Sequence, residues 1–301
     1  MDITQLTRIF CQVDDFCKEL NQYQRANLLP DLTRNAGSRG KKCCLSDSEM
    51  MTILVFFQSS CFRNFKHFYI DFLCRYWKKE FPNLPSYNRF IEIMNRVIFH
   101  LTLFSQINLG KKTGIYYIDA TCLPVCHIKR SKRNKVFKDI AEYGRTSVGW
   151  FFGLKLHIVI NEKGELIAFK INRGNTHDVS ASEFLLKSLQ GLAFGDKGYI
   201  SKKLFSQLLD KGLKLITRTR KNMKPIDYTK FEKQLLDQRG IIETVINHFK
   251  HHYHVWHTRH RSVFNAMTHL MAAIAAYVIE PLKISAIKLL GANNFLTEIP
   301  N

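Results

Sequence analysis

An acidic residue interrupts an apolar run typical of a β-strand in the segment Tyr-Tyr-Ile-Asp-Ala-Thr at residues 116–121. A charged side chain in such a run is costly to bury unless it is paired or coordinates a metal ion. A second segment, Gly-Asp-Lys-Gly-Tyr at residues 195–199, places Asp196 directly after a short apolar run. Since α/β sheets bind ligands just beyond their strand ends, Asp119 and Asp196 are predicted to line a site there.

A third segment, Arg-Gly-Ile-Ile-Glu at residues 239–243, lies within a long amphipathic helical pattern. Apolar residues flank Glu243, so this acid is predicted at the edge of a buried helix face. Two Asp and one Glu form a ligand set for two Mg²⁺ ions about 3.5–4 Å apart, with waters and substrate phosphate completing the coordination. A single acid is more simply a helix cap or surface group, but the three together in this topology favour the metal site.

The composition indicates a globular protein that attracts polyanions. The chain has 301 residues, 46% of them hydrophobic, which is enough for one large or two modest domains. Its 45 Lys and Arg exceed its 25 Asp and Glu, which gives a formal net charge of +20. Nucleic acid is therefore the first partner to consider, and an anionic membrane surface is the second. The apolar stretch Leu270–Ile279 is too short to span a bilayer and is expected to be a buried helix.

Eight cysteines are present, and the N-terminal residues lack the basic and apolar regions of a secretory signal. The cysteines are therefore expected to be reduced thiols of a cytosolic protein, mostly in its core. Cys122, Cys126 and His127 are an alternative half-site for zinc. No second Cys pair at ligand spacing accompanies them, so the structural role is favoured.

Hydrophobic patterning divides the chain into a helical region over residues 1–110, an α/β domain over 111–281 and a tail over 282–301. Ser46 and Glu49 have the spacing of a helix capping box, and Ser86 is expected to cap a helix that runs to Phe99. In the α/β domain the predicted strands are 115–125, 148–160, 165–172, 191–194 and 213–217, and the predicted helices are 180–189, 201–211, 231–256 and 262–279. This succession predicts a mixed sheet flanked by helices.

Basic segments are predicted beside the acidic residues. Residues 129–138 carry six Lys or Arg in ten positions and follow the first predicted strand closely. Lys129, Arg130, Lys132 and Arg133 are expected to clamp DNA phosphates, with a solvated loop as the alternative. Residues 218–224 are interpreted in the same way, and the polar, Gly-rich residues 34–42 are interpreted as a basic loop. The His-rich segment 248–261 is interpreted as a basic, partly aromatic helix face near DNA rather than a metal site.

The ordered set of motifs resembles the DDE transposases of bacterial insertion sequences, most closely the insertion sequence 982 family. The motifs that carry the resemblance are Tyr-Ile-Asp-Ala-Thr at 117–121, Gly-Trp-Phe-Phe-Gly-Leu-Lys-Leu-His at 149–157, Asn-Thr-His-Asp at 175–178, Gly-Asp-Lys-Gly-Tyr at 195–199, and an Arg-x3-Glu-x6-Lys pattern at Arg239, Glu243 and Lys250. The resemblance covers nearly the whole chain. Single motifs are weak, but the order of the whole set is specific.

This resemblance implies an RNase H-like catalytic core in which Asp119, Asp196 and Glu243 are the catalytic, metal-binding triad. Two Mg²⁺ ions are the implied cofactors, and Mn²⁺ is expected to substitute for them. The resemblance also implies that Arg239 and Lys250 contact DNA phosphate near the transposon end. Related transposases carry a Tyr three residues before the Arg, where this chain has Leu236, so the role of that Tyr is not carried over.

The resemblance therefore implies a Mg²⁺-dependent DNA transposase and endonuclease. Such an enzyme binds the terminal inverted repeats of its element, hydrolyses phosphodiester bonds at the ends and joins the 3′-OH to target DNA. Its expected partners are double-stranded DNA and further copies of itself, as a homodimer or higher oligomer, and its expected location is a bacterial cytoplasm, at the nucleoid. A catalytically inactive DNA-binding descendant and a stand-alone nuclease are the alternatives.

The helical region 1–110 is the candidate reader of the terminal repeats, through a helix-turn-helix. Arg89 and Arg96 are seven residues apart on one predicted helix and are expected to share a face. A purely oligomerising role for this region is the alternative.

Overall fold

The computed structural model describes residues 3–27, 45–220, 222–224, 226–256 and 260–284. The chain divides into two compact units. The helical unit comprises Met1–Asn108 and Phe249–Glu280, and the sheet unit comprises Leu109–His248 and Pro281–Asn301. The predicted basic loop 34–42 and most of the predicted tail 282–301 lie outside the described residues.

Residues 249–280 belong to the helical unit, whereas their place in the sequence suggested the α/β domain. The apolar pattern of a helix shows that the helix is buried, but it does not show which neighbours bury it. The division into two compact units does not test which region binds DNA, so the DNA-reading role of the helical region stays a prediction.

Eleven α-helices lie within the described residues, separated in places by π-helical or 3₁₀ turns. They are α1 (Ile3–Ala26), α2 (Asp47–Gln58), α3 (Phe65–His67), α4 (Cys74–Tyr76), α5 (Tyr87–Ile93), α6 (Ile98–Ile107), α7 (Asp178–Leu186), α8 (Lys202–Leu209), α9 (Lys230–Asp237), α10 (Gly240–His251) and α11 (Val263–Ile279).

Two apolar helices form the centre of the helical unit. Ten of the 12 residues of α2 are buried, and α11 is buried over most of its length. The predicted capping box begins α2: the Glu49 amide donates to Ser46 Oγ at 3.1 Å, and the Ser46 amide donates to Glu49 Oε2 at 2.7 Å. The expectation that Leu270–Ile279 is a buried helix is confirmed. Among the described residues, no helix has both the length and the apolar character needed to cross a bilayer.

The helix predicted from Ser86 to Phe99 is interrupted. Ser86 does cap α5, but a 3₁₀ turn over Met94–Val97 separates α5 from α6. Arg89 is in α5, whereas Arg96 is in the turn, where its Nε lies 2.8 Å from Asp47 Oδ1 and its Nη2 donates to the Leu45 carbonyl at 2.6 Å. Arg96 therefore stabilises the helical unit itself, and the expected shared face of one continuous helix is wrong.

The sheet unit contains one mixed, six-stranded sheet. Its strands are β1 (Ile115–Cys126), β2 (Glu142–Thr146), β3 (Gly149–Asn161), β4 (Leu166–Arg173), β5 (Gly191–Gly195) and β6 (Leu213–Thr217). The order is β2-β3-β1-β5-β6, with β4 pairing β3 as well. Strands β1, β5 and β6 are parallel, and the pairs that involve β3 are antiparallel. The predicted mixed sheet is confirmed, and β2 is a strand that the sequence analysis missed.

The two faces of this sheet have different environments. Ile118 and Val159 pair across β1 and β3 and pack with Leu185 of α7 and Leu204 of α8 in one hydrophobic core. Because side chains alternate along a strand, Asp119 points to the opposite face. That face also carries Lys214 of β6, which pairs with Glu232 of α9. The sheet thus separates a layer of α7 and α8 from the layer in which Asp119 and α9 lie.

The single helix predicted over 231–256 is wrong, because it is two helices. Helix α9 ends before Gln238, and α10 begins at Gly240 after a tight turn in which the Ile242 amide donates to the Arg239 carbonyl. The amphipathic pattern continues across this turn, so periodicity alone did not reveal it. As a result, Glu243 lies in the first turn of α10, where the helix dipole favours a negative charge.

Candidate active site

Asp119 and Asp196 come together through the register of two parallel strands. Tyr117 of β1 pairs with Phe194 of β5, so each Asp stands two residues beyond the same pair. Neighbouring strands lie about 4.8 Å apart, and the two carboxyl groups are therefore placed side by side at the carboxyl end of β5. Asp119 is still within β1, paired with Ile158 of β3, whereas Asp196 follows the end of β5 and is exposed.

Arg239 links the third acid to the first. Its Nη2 donates to Glu243 Oε1 at 2.5 Å, and its Nη1 lies 3.7 Å from Asp119 Oδ2. The tight turn between α9 and α10 positions this guanidinium, which is 19% exposed, between the two carboxylates. The resemblance implied a contact of Arg239 with DNA phosphate, and the position of Arg239 beside Asp119 and Glu243 was not predicted.

The pKa of Asp119 is determined by its burial and by the charged groups around it. The pKa of Asp119 is raised to about 6, chiefly by burial and in smaller part by the charges of Asp196 and Glu243. The Ala120 amide, which donates to Asp119 Oδ1 at 2.7 Å, and the Arg239 guanidinium lower the pKa and only partly offset the burial. Three carboxylates that retain uncompensated negative charge are oxygen donors suited to a hard divalent cation such as Mg²⁺ or Mn²⁺.

A second ion pair lies behind the turn that carries Asp196. Lys155 Nζ donates to Asp178 Oδ1 and to the Thr176 carbonyl, both at 3.1 Å. The other oxygen of Asp178 would lie 3.4 Å from a Cβ placed on Gly198, so Asp178 packs against the turn at residues 196–199. Tyr199 of this turn is buried, and its pKa is raised well above its usual value by burial and by Asp119, Asp178 and Asp196. Asp178 and Tyr199 are in the quoted motifs, but the sequence analysis gave them no role in the site.

The predicted phosphate-binding residues Lys129, Arg130, Lys132 and Arg133 occupy a 3₁₀ turn, Ile128–Arg133, and all four side chains are exposed. We call this segment the basic turn. His127 caps it by accepting a hydrogen bond from the Lys129 amide at 3.3 Å, and Ser131 Oγ lies 2.7 Å from the hydroxyl of Tyr143 in β2. The basic turn is therefore anchored to the sheet with its positive charges directed into solvent.

The other basic residues are distributed more widely. Lys250 is in α10, seven residues after Glu243, and its Nζ lies 5.3 Å from the ring centroid of Trp256. Arg218 pairs with Asp237 at 3.0 Å, and Arg220 donates to the Lys197 carbonyl at 3.1 Å. Lys221 and His257 lie outside the described residues.

The alternative zinc half-site is not assembled. Within the part of the chain that the structure describes, Cys122, Cys126 and His127 belong to no group of three ligand atoms within 4.8 Å of one another, and in this conformation neither do Asp119, Asp196 and Glu243. Cys122 and Cys126 are half-buried on β1, and His127 is used as a helix cap.

The fold and the acidic cluster define an α/β protein with a carboxylate-lined site on β1 and at the carboxyl end of the adjacent strand β5. The family model for the transposase DDE domain matches residues 109–263, and the chain belongs to this family. A solved structure titled as the piggyBac transposase synaptic complex with hairpin DNA is similar at 11% identity and a TM-score of 0.42, over 90% of this chain and 72% of that one. No curated protein sequence matches the chain. The expectation of a DDE transposase is thereby confirmed at the level of the family.

Proposed function

We propose that this protein is the DNA transposase of a bacterial insertion sequence of the 982 family, with an RNase H-like catalytic core. It binds the terminal inverted repeats of its element, hydrolyses the phosphodiester bond at each end and joins the freed 3′-OH to target DNA. The observation that supports this proposal most strongly is that Asp119 and Glu243 share the Arg239 guanidinium, with Asp196 beside Asp119, in a chain of net charge +20.

In this proposal Asp119, Asp196 and Glu243 hold two Mg²⁺ ions, for which Mn²⁺ substitutes. When bound, these ions provide Lewis-acid stabilisation of the attacking and leaving oxygens of the phosphodiester. The Ala120 amide fixes one oxygen of Asp119, and Arg239 holds Glu243 towards Asp119. The attacking groups are water and then the 3′-OH of DNA, so the protein needs no covalent link to its substrate.

The basic residues are proposed to guide DNA to the acids. The exposed side chains of the basic turn neutralise backbone phosphates, which fixes the position of DNA without reading its sequence. Arg239 and Lys250 are proposed to contact phosphate near the transposon end, and the helical region 1–110 to read the terminal repeat. The active form is proposed to be a homodimer or higher oligomer on DNA, at the bacterial nucleoid.

The test is cleavage of a labelled duplex that carries the terminal repeat of the protein's own element, with Mg²⁺ and then with Mn²⁺. Wild-type protein is expected to cut at the repeat boundary. Asp119→Asn and Asp196→Ala are expected to reduce cleavage to background and to retain DNA binding in a gel-shift assay, because neither change removes a basic residue.

Three results would contradict the proposal. Specific binding by wild-type protein without cleavage in either metal would instead indicate an inactive, DNA-binding descendant. Cleavage without preference for the repeat would indicate a stand-alone nuclease. Loss of specific binding in Asp119→Asn would disprove the metal-binding role assigned to that residue.

A further inference from the structure

The hairpin of β2 and β3 ends in an exposed tip with an unusual composition. Arg145 pairs with Trp150, and Thr146 pairs with Gly149, which leaves Ser147 and Val148 as the turn. Val148 is 97% exposed and Trp150 is 60% exposed. Two apolar side chains exposed together at the end of a hairpin make it a candidate binding surface.

Two hydrogen bonds close the turn of the tip. The Val148 amide donates to Thr146 Oγ1 at 3.3 Å, and the same hydroxyl donates to the Gly149 carbonyl at 3.1 Å. Gly149 has φ +144°, in the range that favours glycine. Strand β1 does not reach the tip, because its last pair with β3 joins Cys126 to Phe152. The tip therefore extends beyond β1 as a preorganised projection.

Basic side chains lie on this hairpin and beside it. The Arg145 guanidinium carbon lies 5.8 Å from the ring centroid of Trp150, so a cation and an aromatic face are presented together. Tyr143 of the same hairpin is anchored to Ser131 of the basic turn, which places Lys129, Arg130, Lys132 and Arg133 beside the hairpin. A partner that fits this surface is a polyanion with flat aromatic groups, which describes nucleic acid with accessible bases.

The tip lies on the face of the sheet that carries Asp119. Asp119 pairs with Ile158, and Trp150 is an even number of residues from Ile158 along β3, so their side chains share a face. Eight residues of strand at about 3.3 Å each give a separation of about 26 Å. At about 3.4 Å per base step, this is about eight base pairs of DNA.

We propose that the β2–β3 tip is a DNA wedge, in which Trp150 stacks on an unpaired or unstacked base about eight base pairs from the scissile phosphate while Arg145 contacts the neighbouring phosphate. Val148 occupies the space between separated base steps, as apolar side chains do in proteins that kink DNA. This inference rests on the proposed function for the presence of DNA at the acidic site. It adds a contact to base faces, which the phosphate-binding residues do not provide.

The test uses wild-type protein without metal and two fluorescent 20-bp duplexes, one fully paired and one with a two-base mismatch. Wild-type protein is expected to bind the mismatched duplex about tenfold more tightly, since stacking of a base on an aromatic ring is stabilising. Trp150→Ala is expected to remove this preference, and Trp150→Phe to retain most of it. The mismatched duplex is also expected to quench tryptophan emission in wild-type protein much more than in Trp150→Phe.

Phe184→Ala is the matched control. Phe184 is 53% exposed and has Lys170 and Lys187 at 4.5 and 4.9 Å from its ring, but it is in α7, on the opposite face of the sheet. Its removal is expected to leave both affinities unchanged. Thermal unfolding followed by circular dichroism checks that the variants fold, and Val148→Ser provides a second, smaller change at the tip.

The wedge proposal is wrong if wild-type protein binds the two duplexes equally. It is also wrong if the preference for the mismatched duplex remains in Trp150→Ala. Quenching of Trp150 by anionic lipid vesicles and not by DNA would overturn it too, and would assign the tip to a membrane surface. If the protein prefers the mismatched duplex through Trp150 but fails to cut its terminal repeat, the proposed function is disproved and the wedge is not.

Discussion

Arg239 supplies positive charge to two of the three acids, and this has a consequence for metal binding. Its guanidinium contacts carboxylate oxygens of Asp119 and Glu243, which are the atoms proposed to bind the divalent ions. A guanidinium and a metal ion compete for the same oxygens. The contact with DNA phosphate that the motif implies therefore requires Arg239 to leave at least one of these carboxylates.

Arg239→Gln is expected to increase the affinity of the DNA-free protein for Mn²⁺ about tenfold, or ~1.4 kcal/mol. Isothermal titration calorimetry with Mn²⁺ measures this directly. Arg218→Gln is the control, because Arg218 pairs with Asp237 on an exposed surface. Weaker Mn²⁺ binding by Arg239→Gln would contradict this prediction and show that the guanidinium holds the acids in place for the metal.

The pairing of individual strands and the ends of individual helices determine where the charged side chains of the site lie. Parallel pairing of β1 with β5 aligns two acids, and the interruption between α9 and α10 adds the third. The basic turn is a separate element, which keeps its conformation through the His127 cap and the contact between Ser131 and Tyr143. Its four cations can therefore be removed without a change in the groups that hold the turn.

Replacement of Lys129, Arg130, Lys132 and Arg133 by Ala is expected to weaken binding to all duplex sequences alike. The slope of log K against log salt concentration is expected to decrease by ~0.9 for each phosphate that is no longer neutralised, up to ~3.6 for all four. Fluorescence anisotropy at a series of NaCl concentrations gives this slope. Lys202→Ala combined with Lys203→Ala, in α8 on the other layer, is the control. An unchanged slope in the four-residue variant would mean that the basic turn is only a solvated segment.

At the scale of the whole molecule, neutral buried histidines occur in both units. His157 of β3 is fully buried, and burial lowers its pKa to about 4. His269 of α11 also has a lowered pKa, through burial and through the neighbouring His260. In the unfolded chain these residues take up a proton near pH 6.5, so acid favours the unfolded state of each unit.

Asp119, with its raised pKa, is expected to favour the folded state as the pH falls. His157 is expected to oppose this, lowering the stability of the sheet unit as the pH decreases from about 6.5 to about 4, by about 2 kcal/mol at pH 5. Above pH 6.5 the residue is neutral in both states and has no effect. Urea unfolding at pH 7.5 and pH 5.0 measures the difference. His157→Leu is expected to remove the His157 contribution, because the titrating group is gone, and no hydrogen bond is lost with it since neither ring nitrogen has a hydrogen-bond partner. A pH dependence that is unchanged in His157→Leu would disprove the assignment.

The sequence by itself determined the features that depend on neighbouring residues. Alternation and local composition predicted β1, β3, β5 and β6, the capping box at Ser46, and the buried character of α11. They also identified Asp119 within an apolar run and Asp196 directly after one, because the cost of a charge in such a run is visible without the fold. The family followed from the order of the motifs, and the matching family model confirmed it.

Only the tertiary structure decided the features that depend on distant partners. The packing of α11 with α2, the parallel register of β1 with β5, and the contact of Arg239 with Asp119 join residues far apart in the chain. The turn between α9 and α10 was hidden because the apolar residues keep one face through the interruption. No local pattern encodes such pairings, since they are set by which buried faces complement each other when the whole chain packs.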